Sequence, residues 1–220
     1  MIPETVTQIA DSAFSYWQQL ETVICYAPLE TTGRSTFQYD TSLKTIVFMN
    51  RIKAIDNYCF DRCPALKTVW WPEGTLDFIG VQAFQGCVFK TFIADAKEIR
   101  EVAFRDCTKM KSVHVRSSIE KMSLSAFSGC KALNEICIET TNDEVFTGEN
   151  GYSGACGGDT KLIVPAKTSD KQAKYLLRMW NTGNFGPIAD ADHVIRADCA
   201  KPNHPKRPDV TELGFAAPKE

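Results

Sequence analysis

Residues 99–115 read IREVAFRDCTKMKSVHV, a stretch that holds one complete copy of a unit that recurs along the chain. It begins with an isoleucine, followed five residues later by the phenylalanine of an Ala-Phe pair and, three residues further on, by a cysteine. Its last residues alternate apolar and polar side chains, a pattern typical of a short β-strand with one buried face. A unit of this length cannot bury that face by itself.

Six copies of this unit follow one another with nearly constant spacing. Their phenylalanines are 23, 23, 24, 20 and 23 residues apart and stand at Phe14, Phe37, Phe60, Phe84, Phe104 and Phe127. Five residues before them lies a mostly aliphatic column of Ile9, Thr32, Ile55, Ile79, Ile99 and Met122. Two columns after them read Leu20, Leu43, Leu66, Phe89, Met110 and Leu133, and then Val23, Ile46, Val69, Phe92, Val113 and Ile136. A last column reads Cys25, Phe48, Trp71, Ala94, Val115 and Ile138.

These columns predict a repeat solenoid, because stacked copies bury each column as a continuous ladder in one core. Each copy supplies one short strand to a parallel β-sheet, in which neighbouring strands lie about 4.8 Å apart. The rest of each copy is predicted to form irregular or short helical structure on the opposite face.

A family resemblance is carried by the segments 79–93, 99–115 and 119–138, which resemble the BspA-like leucine-rich repeats, also called the Treponema pallidum type. That family follows roughly the pattern I-G-x-x-A-F-x-x-C-x-x-L-x-x-I-x-I-P, and the likeness covers about residues 2 to 165. The resemblance implies a leucine-rich repeat fold, either an α/β-type horseshoe or a right-handed superhelix. The second copy, residues 29–48, lacks both the isoleucine and the cysteine, so we expect it to be the least regular.

Three parts are predicted along the chain: repeats over 1–165 with about six rungs and an irregular last one, a C-terminal cap over 166–190, and a proline-rich tail or linker over 191–220. The cap is implied by the resemblance, through Leu162, Val164, Pro165, Tyr175, Trp180, Phe185 and Ile188. Ser169 or Asp170 is a suitable N-cap for a capping helix that covers the last rung and its open sheet edge.

The two ends of the chain are predicted differently. Ile2-Pro3 resembles the close of a preceding repeat, so we expect the array to continue before residue 1 or to be covered there by another segment. The tail has four prolines and little periodicity. It is predicted to be extended and to connect to another domain or to the cell surface.

Composition narrows the class of function. The 220 residues carry a formal net charge of −2, which gives no bulk attraction to nucleic acid. No apolar run reaches the roughly 18 residues that a transmembrane helix needs, and residues 1–14 lack the basic and apolar regions of a signal peptide. We therefore expect neither nucleic-acid binding nor membrane insertion.

Four of the nine cysteines stand three residues after a phenylalanine, at Cys63, Cys87, Cys107 and Cys130. A metal site gathers its ligands around one point, whereas a ladder spreads them along a line. We interpret the column as small buried hydrophobic residues, with a series of disulfides or a metal site as the alternative. His114 and Cys137 share a column and leave open a Cys–His nucleophile pair, although no orienting group accompanies them. A protein without catalysis, cofactor or metal is therefore predicted.

Strand residues between the buried columns face away from the core, because side chains alternate along a strand. Two such columns are rich in threonine and lysine and are interpreted as solvated. The others are more apolar and predict an exposed partner-binding strip, termed the strip, that consists of Ile24, Tyr26, Val47, Met49, Trp70, Ile93, His114 and Arg116. Solenoids bind partners on such faces. As the alternative, the strip packs against an N-terminal segment or only satisfies strand propensity.

The resemblance implies an adhesin-like function at the cell surface or outside the cell. The expected partner is a protein, such as an extracellular matrix or cell-surface protein of a host or a neighbouring cell. Two alternatives are a cytoplasmic scaffold for protein–protein interactions and a spacer domain of a larger protein. The fold class does not choose among these functions.

Overall fold

The computed structural model describes residues 1–123, 125–140, 142–147, 160–171, 173, 194–197 and 204–215. These residues form a solenoid of stacked parallel strands, as the columns predict. Helical structure in the described ranges is confined to one 3-10 turn, Asp143–Val145, and to Asp170, Lys171 and Ala173. No helix in this part of the chain is long and apolar enough to cross a membrane.

The strands predicted from the repeat form the front of the solenoid in two sheets. The N-terminal front sheet contains β1 (Thr22–Cys25), β2 (Thr45–Phe48) and β4 (Thr68–Trp70). The C-terminal front sheet contains β6 (Thr91–Ala94), β8 (Ser112–Val115), β10 (Glu135–Ile138), β12 (Lys161–Val164) and β13 (Val194–Arg196). Pairing is parallel throughout, and its register confirms the columns, since Val113 pairs with both Phe92 and Ile136.

The remainder of most rungs contains a second short strand beside irregular turns, so the prediction of one strand per rung is incomplete, and the short helical form is not found over residues 1–123. A second parallel sheet, the side sheet, contains β3 (Ala54–Ile55), β5 (Leu76–Ile79), β7 (Ala96–Ile99), β9 (Lys121–Ser123) and β11 (Phe146–Thr147). The isoleucine column lies in this sheet, where Ile79 pairs with Ile55 and with Ile99. Most rungs therefore contribute two strands rather than one. The four-residue side strands β5 and β7 bury their first and last side chains, so they lack the alternation by which a strand is recognised.

The Ala-Phe segment of each rung forms a tight turn that is hydrogen-bonded to the next rung. The Phe84 N–H donates to the carbonyl of Ala103, and the Phe104 N–H donates to that of Ala126, both at 2.8 Å. Residues two before and two after the phenylalanine adopt positive φ, as Gln82 does at 53°. Left-handed backbone costs an L-residue roughly 1–2 kcal/mol, so the bonds between rungs and the buried ring must offset this strain.

The phenylalanine rings form a continuous stack along the solenoid axis. Consecutive ring centroids are 5.1–5.4 Å apart, and the planes of neighbouring rings differ by at most 17°. All rings after the first are fully buried, namely Phe37, Phe60, Phe84, Phe104 and Phe127. Phe14 is only half-buried and stacks on a single neighbour of the series, Phe37.

The cysteine column packs beside this stack with free, buried thiols. Each thiol donates to the carbonyl of a phenylalanine one rung earlier, as Cys63 does to Phe37 at 3.0 Å and Cys107 does to Phe84 at 3.2 Å. The alternative of a disulfide series is therefore wrong for this column. Burial raises the pKa of the Cys63 thiol to about 12, which disfavours the reactive thiolate. Within the described ranges no group of three metal-ligating side chains comes together.

The second copy is irregular only in part. Its front strand β2 pairs fully with β1 and with β4. In the side sheet, however, it contributes a single isolated bridge between Thr31 and Ala54. The missing isoleucine thus shortens the side strand without disturbing the front strand.

Asp40 replaces the cysteine of the second copy and is buried in the same column. Its Oδ1 accepts a hydrogen bond from the Trp17 N–H at 2.7 Å, whereas Oδ2 is buried without a hydrogen-bond partner among the described residues. Burial raises the pKa of Asp40 to about 7, against the opposing effect of the Trp17 hydrogen bond. Burial also raises the pKa of Asp61, whose carboxyl group lies in the next rung.

The described residues cover only parts of the expected cap and tail. The predicted capping helix is not confirmed, because most of residues 166–190 lie outside the described ranges. Residues Val194–Arg196 form β13, which pairs with β12, and residues 204–215 pack against the front of the solenoid. At the other end, Ile2 forms a parallel bridge with Cys25 ahead of β1.

The stack predicts a large effect of Phe104→Ala, because the ring is fully buried between Phe84 and Phe127. We expect a loss of roughly 3–5 kcal/mol in the free energy of unfolding, measured by urea denaturation. Phe14→Ala is the matched control and should cost less than half as much. Equal effects of the two substitutions contradict the stacked register.

Asp40 predicts a pH dependence of stability. Because its folded-state pKa of about 7 lies above the ordinary value of 3.8, the folded protein retains a proton that the unfolded chain releases. This contribution is fully present below the ordinary pKa and is lost as the pH rises through the folded-state pKa. Between about pH 5 and about pH 8, wild type should therefore lose roughly 1–4 kcal/mol more stability than Asp40→Asn does. Parallel stability–pH curves for the two proteins rule this out.

Candidate binding surface

The strip begins on the N-terminal front sheet as a hydrophobic cluster separate from the solenoid core. Ile24 on β1 and Val47 on β2 point away from the core, yet both are 0 % exposed. Tyr26, Met49 and Trp70 are half-buried and pack against them. The prediction that these side chains share one face is correct, whereas the prediction that Ile24 and Val47 are exposed is wrong.

The cover is the chain's own residues 204–215, termed the tail segment. Val210 is buried between the side chains of the strip, and Leu213 and Phe215 pack on the same cluster. Packing of the apolar side chains of the tail segment on the strip removes apolar surface from water. The expected alternative, cover by an N-terminal segment, is replaced by cover from the opposite end of the chain.

A short capped turn presents the apolar side chains of the tail segment. Asp209 accepts hydrogen bonds from the N–H and the hydroxyl of Thr211 at 2.9 and 2.7 Å, and these bonds lower the pKa of the Asp209 carboxyl. Gly214 closes the turn at φ 83°, in the left-handed region that favours glycine. Its neighbour Phe215 donates its N–H to the Val210 carbonyl at 3.0 Å, which brings both side chains to the strip.

Trp70 anchors the start of the tail segment. Its indole Nε1–H donates to the Pro205 carbonyl at 2.7 Å. The His204 ring lies edge-on to the indole, with centroids 6.0 Å apart. Trp70 thus provides a directional polar contact at the edge of an otherwise apolar surface.

The front of the solenoid is interrupted beside Trp70, because β4 and β6 belong to different sheets. A cleft of about 210 Å³ opens there, lined by Trp70, Trp71, Phe89, Phe92, Ile93 and several polar side chains. The indole and phenyl rings in this lining are too large to fit between strands at the usual spacing of about 4.8 Å, and they do not stack on one another. Trp71 and Phe92 are 6.4 Å apart and tilted by 48°. Their bulk explains why the two strands do not pair.

The end of the strip on the C-terminal front sheet is polar rather than apolar. His114 Nε2 lies 2.6 Å from Glu139 Oε1, and Arg116 Nη1 lies 3.5 Å from the same oxygen. The Ser117 N–H donates to Glu139 Oε2 at 2.9 Å. Burial opposes ionisation of Glu139, but these hydrogen bonds and charges outweigh it and lower the pKa of the carboxyl.

The alternative of a Cys–His nucleophile pair does not fit this geometry. Cys137 is disulfide-bonded, so it has no free thiol. Cys137 and His114 are paired across β10 and β8, but the His114 ring is engaged by Glu139.

The structure thus divides the predicted site residues into three groups. Five form the covered apolar cluster: Ile24, Tyr26, Val47, Met49 and Trp70. Ile93 and Arg116 line the cleft, whereas His114 belongs to the polar cluster with Glu139. Sequence reasoning missed the cleft, because Trp71, Phe89 and Phe92 had been assigned to core columns. It also missed the tail segment, although the apolar residues Val210, Leu213 and Phe215 were a signal for it.

Comparisons with known proteins agree with this architecture. Residues 1–97 and 78–149 match the BspA type leucine rich repeat region, in six copies. A Treponema pallidum leucine-rich repeat protein has a similar structure, with a TM-score of 0.60, 21% identity, and coverage of 83% of this chain and 80% of that one. A Bacteroides ovatus leucine-rich repeat protein has a TM-score of 0.57 and 24% identity, and the match covers 76% of this chain.

These structural likenesses establish the fold alone. The chain spans only 45% of the Bacteroides ovatus protein. No curated protein sequence matches the chain. The family match, however, extends over more than half of the residues and coincides with the stacked rungs. The chain belongs to the BspA-type leucine-rich repeat family.

Proposed function

We propose that this chain is a non-catalytic protein-binding module of a secreted or surface-exposed, adhesin-like protein. In this proposal it binds proteins of a host matrix or of neighbouring cells through the strip and the adjoining cleft. The repeat fold suggests a protein-interaction module, and the adhesin-like role extends that suggestion.

The supporting observation is that the front face holds a polypeptide segment outside the solenoid core. Val210 is buried in one cluster with Ile24 and Val47, and the Trp70 indole N–H donates to the Pro205 carbonyl. Aromatic side chains that combine a large apolar surface with a hydrogen-bond donor are favoured at the centres of protein interfaces. The face therefore has both the apolar area and the directional contact that a protein ligand requires.

The cover is weaker than the core beneath it. Among the described residues of the tail segment, Val210 is the only buried apolar side chain, whereas the stack contains five fully buried rings. Contacts of this limited extent can open locally while the rest of the protein stays folded. A partner that buries more of the strip can therefore replace the tail segment.

The bonding state of the cysteines is informative about the cellular compartment of the protein. Cys137 is disulfide-bonded, and disulfides form and persist mainly in oxidising compartments. The six free cysteines among the described residues are all buried, so their reduced state reflects protection by the core. Both observations support a location outside the cytoplasm over the alternative of a cytoplasmic scaffold.

The proposal predicts that Trp70→Ala weakens binding to a protein partner without unfolding the solenoid. The test measures binding of the full chain to a panel of immobilised extracellular matrix proteins by biolayer interferometry. An aromatic hot spot contributes about 2 kcal/mol or more, so we expect a loss of about thirtyfold in affinity. Because Trp70 also holds the tail segment, its removal frees the strip, and a drop in affinity therefore requires direct contact between Trp70 and the partner.

Trp17→Ala is the matched control, since Trp17 is exposed and lies outside the strip. It should leave the affinity unchanged. Undiminished binding of Trp70→Ala places the binding site elsewhere, and failure of wild type to bind any protein of the panel contradicts the adhesin-like role.

A further inference from the structure

The chemistry of the cleft between β4 and β6 indicates a class of ligand. Four indole and phenyl rings, those of Trp70, Trp71, Phe89 and Phe92, line a volume of about 210 Å³. Two carboxylates, Glu73 and Asp95, and two cations, Lys67 and Arg116, also line it, so the formal charges of the lining balance. An aromatic pocket without net charge favours an apolar ring.

The tail segment shows how a polypeptide meets this cleft. His204 and Pro205 close one side of it. The Trp70 indole N–H donates to the Pro205 carbonyl at 2.7 Å. An indole N–H can only donate, so it selects a backbone acceptor, and the surrounding rings provide an apolar surface for the adjacent pyrrolidine. This is the combination with which aromatic-lined grooves recognise proline-rich segments.

The sequence around this contact has a proline at every third position, Pro202, Pro205 and Pro208. A polyproline II helix has three residues per turn, so prolines with this spacing lie along one face. The apolar face and the backbone acceptor of the segment match the aromatic lining and the indole donor of the cleft.

We propose that the cleft is a recognition site for proline-rich segments of a partner protein, of the pattern P-x-x-P. The tail segment is its resident occupant and holds the site until a partner segment displaces it. This inference rests on the proposed function, because it names the class of ligand for the same face.

A different protein, rather than a second copy of this chain, is the occupant. Each tail segment belongs to the same chain as its own solenoid, so its effective concentration at the cleft is on the order of millimolar. A tail segment from a second copy has the same sequence and gains no contact over the resident one. A partner that also contacts the strip does gain such contacts and can displace Val210.

The test releases the tail segment in the full chain by Val210→Asp. A carboxylate is unfavourable between Ile24 and Val47, so the segment should detach. Val210 lies outside the solenoid core, and circular dichroism should confirm an unchanged fold. The probe is a fluorescein-labelled peptide of residues 201–208, KPNHPKRP, with binding followed by fluorescence anisotropy. We expect at least about tenfold tighter binding to Val210→Asp than to wild type, because the resident segment competes less well without the Val210 contact.

Three controls identify the cause of binding. The peptide KANHAKRA keeps the length and charge of the probe but lacks its prolines, and it should bind at least about tenfold more weakly. Adding Trp70→Ala to Val210→Asp should abolish binding of the proline peptide. Val210→Ser detaches the segment without a new charge and provides the test if Val210→Asp does not fold.

The inference is overturned if neither Val210 variant binds the proline peptide more tightly than wild type does, or if the two peptides bind equally. A concentration-dependent dimer of wild type that the proline peptide dissociates assigns the cleft to a second copy and also overturns it. If peptide binding fails while Trp70-dependent binding to a matrix protein persists, only this inference falls. If peptide binding succeeds while no matrix protein binds, the adhesin-like role falls instead.

Discussion

The distance between stacked phenylalanine rings is the constraint on which the rest of the structure depends. Ring centroids repeat at 5.1–5.4 Å, close to the spacing of about 4.8 Å between hydrogen-bonded parallel strands. A rung held at this distance can pair its front strand, its side strand and its turn with the next rung at once. The strained positive-φ residues that flank each phenylalanine, and the thiols that reach the phenylalanine carbonyls, are consequences of keeping the ring on the axis.

The same constraint explains where the candidate site lies. At the junction between the rungs of β4 and β6 lie Trp71, Phe89 and Phe92, whose rings are tilted rather than stacked. The phenylalanine stack continues through this junction, since Phe60 and Phe84 remain 5.4 Å apart, but β4 and β6 do not pair. The solenoid therefore stays continuous at its axis while its front opens into a cleft. Trp70, at the edge of that cleft, joins it to the apolar strip on the earlier rungs.

The repeat could be predicted from the sequence because each column contains similar side chains in six successive copies. The front-strand register and the burial of the phenylalanines follow from that periodicity, and the structure confirms them. The side sheet was missed, since strands as short as Ala54–Ile55 show no alternation. The burial of Ile24 and Val47 could not be inferred from their strands, because it depends on a segment more than 150 residues away in sequence. Contacts of this kind lie outside the repeat and leave no periodic signal.

The central claim is that a stable stack carries a front face covered by a weakly held segment of the same chain. Hydrogen–deuterium exchange of the wild-type protein, read by mass spectrometry, tests both parts of it in one measurement. The amides of Phe84 and Phe104, which donate between rungs, should be among the slowest to exchange, and those of residues 210–215 should be protected but faster by at least about a hundredfold. Exchange of the tail segment at the rate of an unstructured peptide contradicts the covered face, and exchange as slow as that of the stack contradicts a cover that a partner can displace.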